Sequence, residues 1–272
     1  MLLSRRWIGA LTLATLFAVV AVLLGNWQYG RHQDKAERRD IAQSNYDATP
    51  VPVREILTAP RQELDPTQEW ARVRATGRYL PLEQVLVRNR PYRGVYGYDV
   101  LVPLELDPPA TGAQQGQESV TLVVDRGWVQ NADNAATLPQ VPTPPTGEVK
   151  VTGWLRSSEK DLQRDLPAGQ VASINVPEVQ EIIGRQALSA YLVLDSETPA
   201  ADERPAPAEP PDLGVGVHFA YALQWWLTAP AGVVLVLVMA RREHREGVGG
   251  EGRTVPRPRP ARRKRIWDDE DA

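Results

Sequence analysis

The sequence predicts a membrane protein in which two transmembrane α-helices bracket a β-rich (α+β) extracytoplasmic domain, and three observations predict it. Leu213 to Ala240, LGVGVHFAYALQWWLTAPAGVVLVLVMA, holds no Asp, Glu, Lys or Arg; about 20 apolar residues suffice to cross the roughly 30 Å hydrocarbon layer of a bilayer. Trp7 to Gly30 is a second charge-free run near the other end. Between them, from Glu69 onward, short runs rich in β-branched residues alternate with Pro and Gly, the punctuation of strands and turns. The stretch 31–212 is long enough to form one domain with its own core.

Composition removes several functions. The chain has 272 residues, 24% of them charged, and a net charge of -3, so bulk charge points to no nucleic-acid partner. Cysteine is absent and the methionines are Met1 and Met239, which excludes disulfides, thioether-linked haem, thiolate metal sites and Met-rich copper sites. The imidazoles, His32, His218 and His244, are too scattered for a zinc site on one helix. No G-x-S-x-G, H-E-x-x-H or Walker motif occurs. Nothing around Lys150 or Lys160 suggests a Ser/Lys peptidase, and the chain is expected not to be an enzyme.

Taken in order, residues 1–6 place Arg5 and Arg6 before the first apolar run, which opens too early to leave room for a mitochondrial transit peptide. A bacterial plasma membrane is the simpler home. A cleaved signal peptide is the alternative for LTLATLFAVVAVLL, but the run exceeds the usual h-region and no A-x-A site follows. The first transmembrane helix is assigned to 7–30, ending in an interfacial group of Asn26, Trp27, Gln28 and Tyr29, and a charged helical continuation follows it. Arg241, Arg242 and Arg245 follow the second helix, whereas only Arg204 closely precedes it, so both termini are expected in the cytoplasm. Arg31, Lys35, Arg38 and Arg39 after the first helix argue the other way, but long domains cross largely regardless of charge.

Within 31–212 the strand candidates are WARVRATGRYL, QVLVRNRPY, YGYDVLVPLEL, SVTLVVDRGWV, EVKVTGWLR and AYLVLD. Asp107 to Glu118 reads as a flexible hairpin insert and Leu138 to Gly147 as a Pro-rich connection. A short helix is predicted over Pro177 to Gln186, with Pro in its first turn and Val179, Ile182 and Ile183 at helical spacing. Residues 199–211 form a Pro-rich, extended tether. The second transmembrane helix is assigned to 213–240. The basic tail, 241–272, is expected to be disordered, cytoplasmic and drawn to anionic lipid headgroups.

His218 is an ionisable residue in an apolar run, which by default suggests a site. On a helix it shares a stripe with Tyr221, Ala222 and Trp225. Such a stripe can place an imidazole under a flat macrocycle, and imidazole is a common axial ligand of haem iron. A His that only marks the water interface fits the spacing equally well. Pro230 removes one helical hydrogen bond just below this group. A second constellation is basic: Arg88, Arg90 and Arg93 in VRNRPYRG, with Arg126 in VDRGW. Guanidinium forks suit carboxylates such as haem propionates, and surface ion pairs are the competing reading for each. Gly94, Gly97 and Gly127 read as turns or bulges.

Five segments in order, LGNWQYGRHQDK (24–35), RNRPYRGVYGYDVLVP (88–103), VVDRGWV (123–129), GWLR (153–156) and HFAYALQWW (218–226), resemble the surfeit locus protein 1 (Shy-type) family of cytochrome c oxidase assembly factors. The resemblance covers all but the tail and the Pro-rich inserts. It implies two membrane helices around an outer domain, and a part in installing haem a in the catalytic subunit of the oxidase. The family's haem-binding histidine falls on His218 and its aromatic pair on Tyr221 and Trp225. Its first-helix motif falls on Gly25, Trp27, Gln28 and Arg31, and its RGW turn on Arg126, Gly127 and Trp128. Gln130 departs from the proline that often follows RGWV. The resulting expectation is a cytochrome c oxidase biogenesis factor acting as a haem chaperone. His218 ligates the iron of haem a, Tyr221 and Trp225 pack the ring, Trp27 and Gln28 close the site and Arg126 meets a propionate. Its partners would be the oxidase catalytic subunit, the haem a synthesis enzyme and the lipid bilayer. The alternative is a membrane scaffold for oxidase assembly intermediates that does not bind haem.

Overall fold

The computed structural model describes residues 4–107, 119–132 and 137–250. The expected insert at 107–118 and the end of the basic tail lie largely outside them. By its internal contacts the chain forms a helical unit, the chain up to Gln33 together with that from Gly216, and a sheet domain, Asp34–Val215.

The apolar run at the first end lies in α1, Arg5–Tyr46, which continues unbroken through the charged stretch after Gly30. Its final turn belongs to the sheet domain. Asn45 donates to the carbonyls of Thr67 and Glu69 at 2.8 and 2.9 Å, and the Trp154 indole N–H donates to the Tyr46 carbonyl at 3.0 Å. The Tyr46 and Trp154 rings stack at 4.3 Å. The Trp154 bond satisfies one of the carbonyls that a helix C-terminus leaves without partners.

Eight strands follow: β1, Val51–Pro52; β2, Arg72–Tyr79; β3, Val85–Tyr92; β4, Val95–Leu106; β5, Thr121–Gln130; β6, Val149–Ser157; β7, Gln170–Val171; and β8, Ala187–Thr198. A four-residue helix, α2, Val53–Ile56, follows β1. The long strands match the six sequence candidates. The order is β1-β2-β6-β8-β5-β4-β3-β7, and an extra antiparallel pairing of β2 with β4 closes the sheet on itself. Strand β4 serves both arrangements because it is long: Leu104 to Leu106 pair with β2 while Val95 to Leu101 pair with β3.

Period-two alternation explains the two cores. Val100, Val102, Leu104, Leu122, Val124, Leu192 and Leu194 fall in one buried cluster. Their neighbours Leu101, Val123, Tyr191 and Val193 fall in the other. Strands buried on both faces read as continuous apolar runs, as VLVPL and TLVV do. The second core is covered by α3, Val176–Ile183, whose Val176, Val179 and Ile183 are buried. Asn175 caps it by accepting from the Glu178 N–H at 3.0 Å. The predicted end at Gln186 is corrected, because Gly184 takes a left-handed conformation, φ 66°, which terminates the helix.

The tether is extended, and it is docked. Ala206 exchanges two backbone hydrogen bonds of 2.8 Å with Trp128. The last helix, α4, runs His218–Gly250 with Pro230 inside it. It therefore starts later than the charge-free run at Leu213. Gly216, at φ 68°, and the Gly214 N–H bonded to Asp212 Oδ1 at 2.8 Å keep that lead-in non-helical. Both α1 and α4 are long and apolar enough to cross a bilayer.

Candidate functional site

In the helical unit α1 and α4 pack antiparallel through small residues. Ala14, Ala21, Ala222 and Ala229 are buried, and Gly232 lies against Ala14 and Phe17. Small side chains let helix backbones approach closely where lipid gives no hydrophobic drive. At Gly25 the missing side chain makes room for the Trp226 indole, on which a Cβ there would lie.

Polar groups collect at the end of this pair where α4 begins. The Nδ1 of His218 lies 2.8 Å from the Gln28 carbonyl oxygen. That side-chain amide oxygen can only accept, so Nδ1 is the donor, and in the neutral tautomer this selects it is Nε2 that carries the lone pair. The Trp226 indole donates to Asn26 Oδ1 at 3.2 Å. Around them the Tyr29 ring contacts Trp226 at 5.6 Å and Phe219 at 6.4 Å. His32 lies 5.2 Å from Phe219. Its Nδ1 is buried with no hydrogen-bond partner.

Of the sequence-predicted residues, His218 and Gln28 are brought together. Tyr221 is exposed and Trp225 half-buried, and neither makes a ring contact among the described residues; the α4 rings that meet α1 are Phe219 and Trp226. Trp27 is 59% exposed, and of the two residues expected to close the site from the first helix it is Gln28 that meets His218. Asn26, Tyr29, His32, Phe219 and Trp226 were not predicted as site residues. A polar residue on every turn from Asn26 to His32 was the available signal.

Arg126 requires the main correction. It belongs to the sheet domain, where its side chain and that of Glu197 are 0% exposed and paired at 2.9 Å. It also donates to the Pro142 carbonyl at 3.0 Å and lies over the Tyr79 ring at 5.4 Å. Tyr79 donates to the other Glu197 oxygen at 2.9 Å. The guanidinium is thus enclosed in the core, not offered to a carboxylate ligand. Arg90 is likewise engaged, by Asp99 at 2.8 Å and Glu159 at 2.6 Å.

That second ion cluster is acidic overall. Asp99 and Glu159 pair with Arg90, and Asp125, within reach of the same charge, accepts from the Gly127 N–H at 3.0 Å. Burial, then the neighbouring Asp125, pushes the Asp99 carboxyl up to about 8 against the pull of Arg90. Burial pushes Asp125 up to about 6. A carboxyl whose folded pKa is raised binds its proton more tightly in the folded state. Its contribution is full below the unfolded value, near 4, and is lost as pH rises through the folded one. Thermal unfolding should therefore show the sheet domain losing stability between pH 5 and pH 8, by at most about 1.4 kcal/mol per pH unit per proton. Asp99→Asn should flatten that profile; an unchanged slope would reject the assignment.

A cleft of about 590 Å³ in the sheet domain is lined by Ser157, Ser158, Ser189, Glu63, Gln180 and Glu181 among others. It has no imidazole or amine beside a hydroxyl, the arrangement that activates a serine nucleophile.

Comparison with known proteins places these features in a family. A model of the SURF1 family matches residues 15–229. The chain is similar to an uncharacterised SURF1-like protein of Mycobacterium bovis, with 29% identity over 259 residues covering 90% of each chain. Uncharacterised SURF1-like proteins from two Mycobacterium tuberculosis strains match to the same extent.

Proposed function

Because the chain belongs to the SURF1 family, which is linked to cytochrome c oxidase assembly, we propose that it is a membrane-anchored biogenesis factor carrying haem a to the oxidase catalytic subunit. Its role is binding and delivery, without turnover. In this reading α1 and α4 cross a bacterial plasma membrane and hold the sheet domain outside. Arg241, Arg242 and Arg245 keep the C-terminus in the cytoplasm, and the enzyme that makes haem a is the donor.

The observation that carries the reading is the hydrogen bond from His218 to Gln28 across the helix pair. Metal-ligating imidazoles are oriented in this way, with one ring nitrogen held by a neighbouring acceptor and the other free to ligate. The orphaned His32 Nδ1 and the exposed rings of Phe219 and Tyr221 suit a flat apolar cargo. Haem supplies an iron centre that accepts an imidazole ligand. The chain supplies His218 as that ligand, Gln28 to fix its tautomer, and aromatic walls from Phe219 and Tyr29.

Detergent-purified protein from cells that make haem a should carry a haem band. His218→Ala should abolish it, and Gln28→Leu should weaken binding roughly 10- to 100-fold, the usual effect of losing a ligand's hydrogen-bond partner. An unchanged band in His218→Ala would sink the assignment. An exposed hairpin tip, with Val95 at 44% and Tyr96 at 62% exposure beside Arg93, favours a second reading in which the domain docks an oxidase subunit without touching haem. A colourless wild type from haem a-containing cells would select it.

A further inference from the structure

A cleft of about 560 Å³ in the sheet domain is lined by the part of α1 beyond Gly30 and by the end of β6. We infer that it holds the phosphoethanolamine headgroup of a membrane phospholipid. The inference rests on α1 crossing a bilayer, as in the reading above, and is independent of haem.

The cleft contains a strained residue. Trp70 has φ 63°, a conformation that bulky side chains rarely adopt and that persists only where the surroundings over-determine it. Here its N–H donates to the Leu155 carbonyl at 2.9 Å, the Tyr46 ring meets the indole edge-on at 5.9 Å, and the Arg156 guanidinium lies over the indole at 4.4 Å. The indole is thus a platform for Arg156. Glu69 holds the same guanidinium by its Nε at 3.0 Å and is itself fixed by accepting from the Ser157 N–H at 2.9 Å. Among the described residues the two terminal nitrogens of Arg156 have no hydrogen-bond partner. A guanidinium held in this way offers a preset fork of donors, which suits phosphate oxygens.

The α1 wall supplies both signs of charge. Asp34, Glu37 and Arg38 line the cleft, and their exposed side chains make no ion pair or hydrogen bond among the described residues. A simple anion would be drawn to Arg38 and Arg156 but repelled by the two carboxylates. A zwitterion carrying a phosphate and an amine satisfies both signs. Unpaired carboxylates accept hydrogen bonds, so a primary ammonium with its three donors fits where a trimethylammonium, having none, does not. Arg156 already lies on the indole that could otherwise take a quaternary amine on its ring face.

Depth selects a lipid as the source. Gly30 ends the apolar run, and Asp34 lies four residues on in the same unbroken helix, about 6 Å along the axis. A headgroup layer is roughly 5–7 Å deep on each side of the hydrocarbon, so the α1 wall of the cleft begins at headgroup level.

The test uses the full chain in detergent, titrated separately with phosphatidylethanolamine, phosphatidylcholine and phosphatidylglycerol, with bound lipid counted by native mass spectrometry. Phosphatidylethanolamine should bind about tenfold more tightly than the other two. Arg38→Gln should weaken it roughly tenfold, the effect of losing one charge-assisted hydrogen bond. Asp34→Asn combined with Glu37→Gln should remove the preference over phosphatidylcholine. These three side chains are unpaired, so circular dichroism should show the variants folded as wild type. A wild type with no preference for phosphatidylethanolamine, or a preference untouched by the substitutions, would overturn the site. Free O-phosphoethanolamine binding as tightly as the lipid would overturn the membrane source. Carbonate extraction of cell membranes holding the chain reads the anchoring separately, and a chain released by it would overturn both. None of these outcomes bears on haem at His218.

Discussion

Glu197→Ala should cost the sheet domain roughly 3–5 kcal/mol, the penalty for leaving one member of a buried ion pair without its partner. A whole domain is stable by only about 5–15 kcal/mol, so most of its margin would be lost. The reason is local. Arg126 faces Glu197 at 2.9 Å and both side chains are 0% exposed, so solvent does not reach the guanidinium to replace the carboxylate. The same substitution strands the Tyr79 hydroxyl, which donates to Glu197 Oε2 at 2.9 Å, in a site where burial and Glu197 already raise the phenol's pKa. Glu197→Gln keeps an acceptor for Tyr79 and should fall between wild type and alanine. The double replacement Arg126→Met with Glu197→Leu should recover much of the loss, because a buried ion pair exchanged for packed apolar groups is often neutral. Chemical unfolding of the full chain in detergent, followed by near-ultraviolet circular dichroism, measures all three. A Glu197→Ala protein as stable as wild type would refute the account.

Arg126 also shows what the sequence made legible and what it did not. In LVVDRGW the alternation that places Leu122 and Val124 on one core face places Arg126 on the same face. Parity alone could have marked it as buried, but a positive charge between glycine and aspartate reads as a surface group unless its partner is known. That partner comes from β8, 71 positions away. The six long strands were legible because each is long enough to display its own pattern. The two-residue strands β1 and β7 were not, since they exist only through parallel pairing with β2 and β3. The β2–β4 closure is likewise a long-range register that no local pattern encodes. On the helices, spacing along α4 singled out His218, Tyr221 and Trp225. Which rings meet α1 depends on the rotation of one helix against the other, and with Trp226 seated on Gly25 these are Phe219 and Trp226.

Gly127→Ala should destabilise the sheet domain by roughly 3 kcal/mol and release the tether from it. Two independent constraints meet at this residue. Its φ is 122°, a conformation almost confined to glycine that costs other residues about 1–3 kcal/mol. A Cβ there would also fall on the Ala206 carbonyl oxygen, the atom that accepts the Trp128 N–H at 2.8 Å. Losing that bridge removes two backbone hydrogen bonds, each worth about 1 kcal/mol net. Ala206→Pro is the informative comparison, because it deletes one donor of the bridge without straining Gly127. It should raise hydrogen exchange and proteolysis around 203–208 while leaving the unfolding of the sheet nearly unchanged, whereas Gly127→Ala should alter both. If Gly127→Ala matched wild type in both measurements, the glycine would not be what holds the tether. The same geometry bears on tests of the scaffold reading. A charged substitution at Gly127 would break the fold where the tether docks, so failed oxidase assembly in such a variant would report folding. Partner binding is better probed on the exposed tip at Arg93, Val95 and Tyr96, whose side chains can change without entering either core.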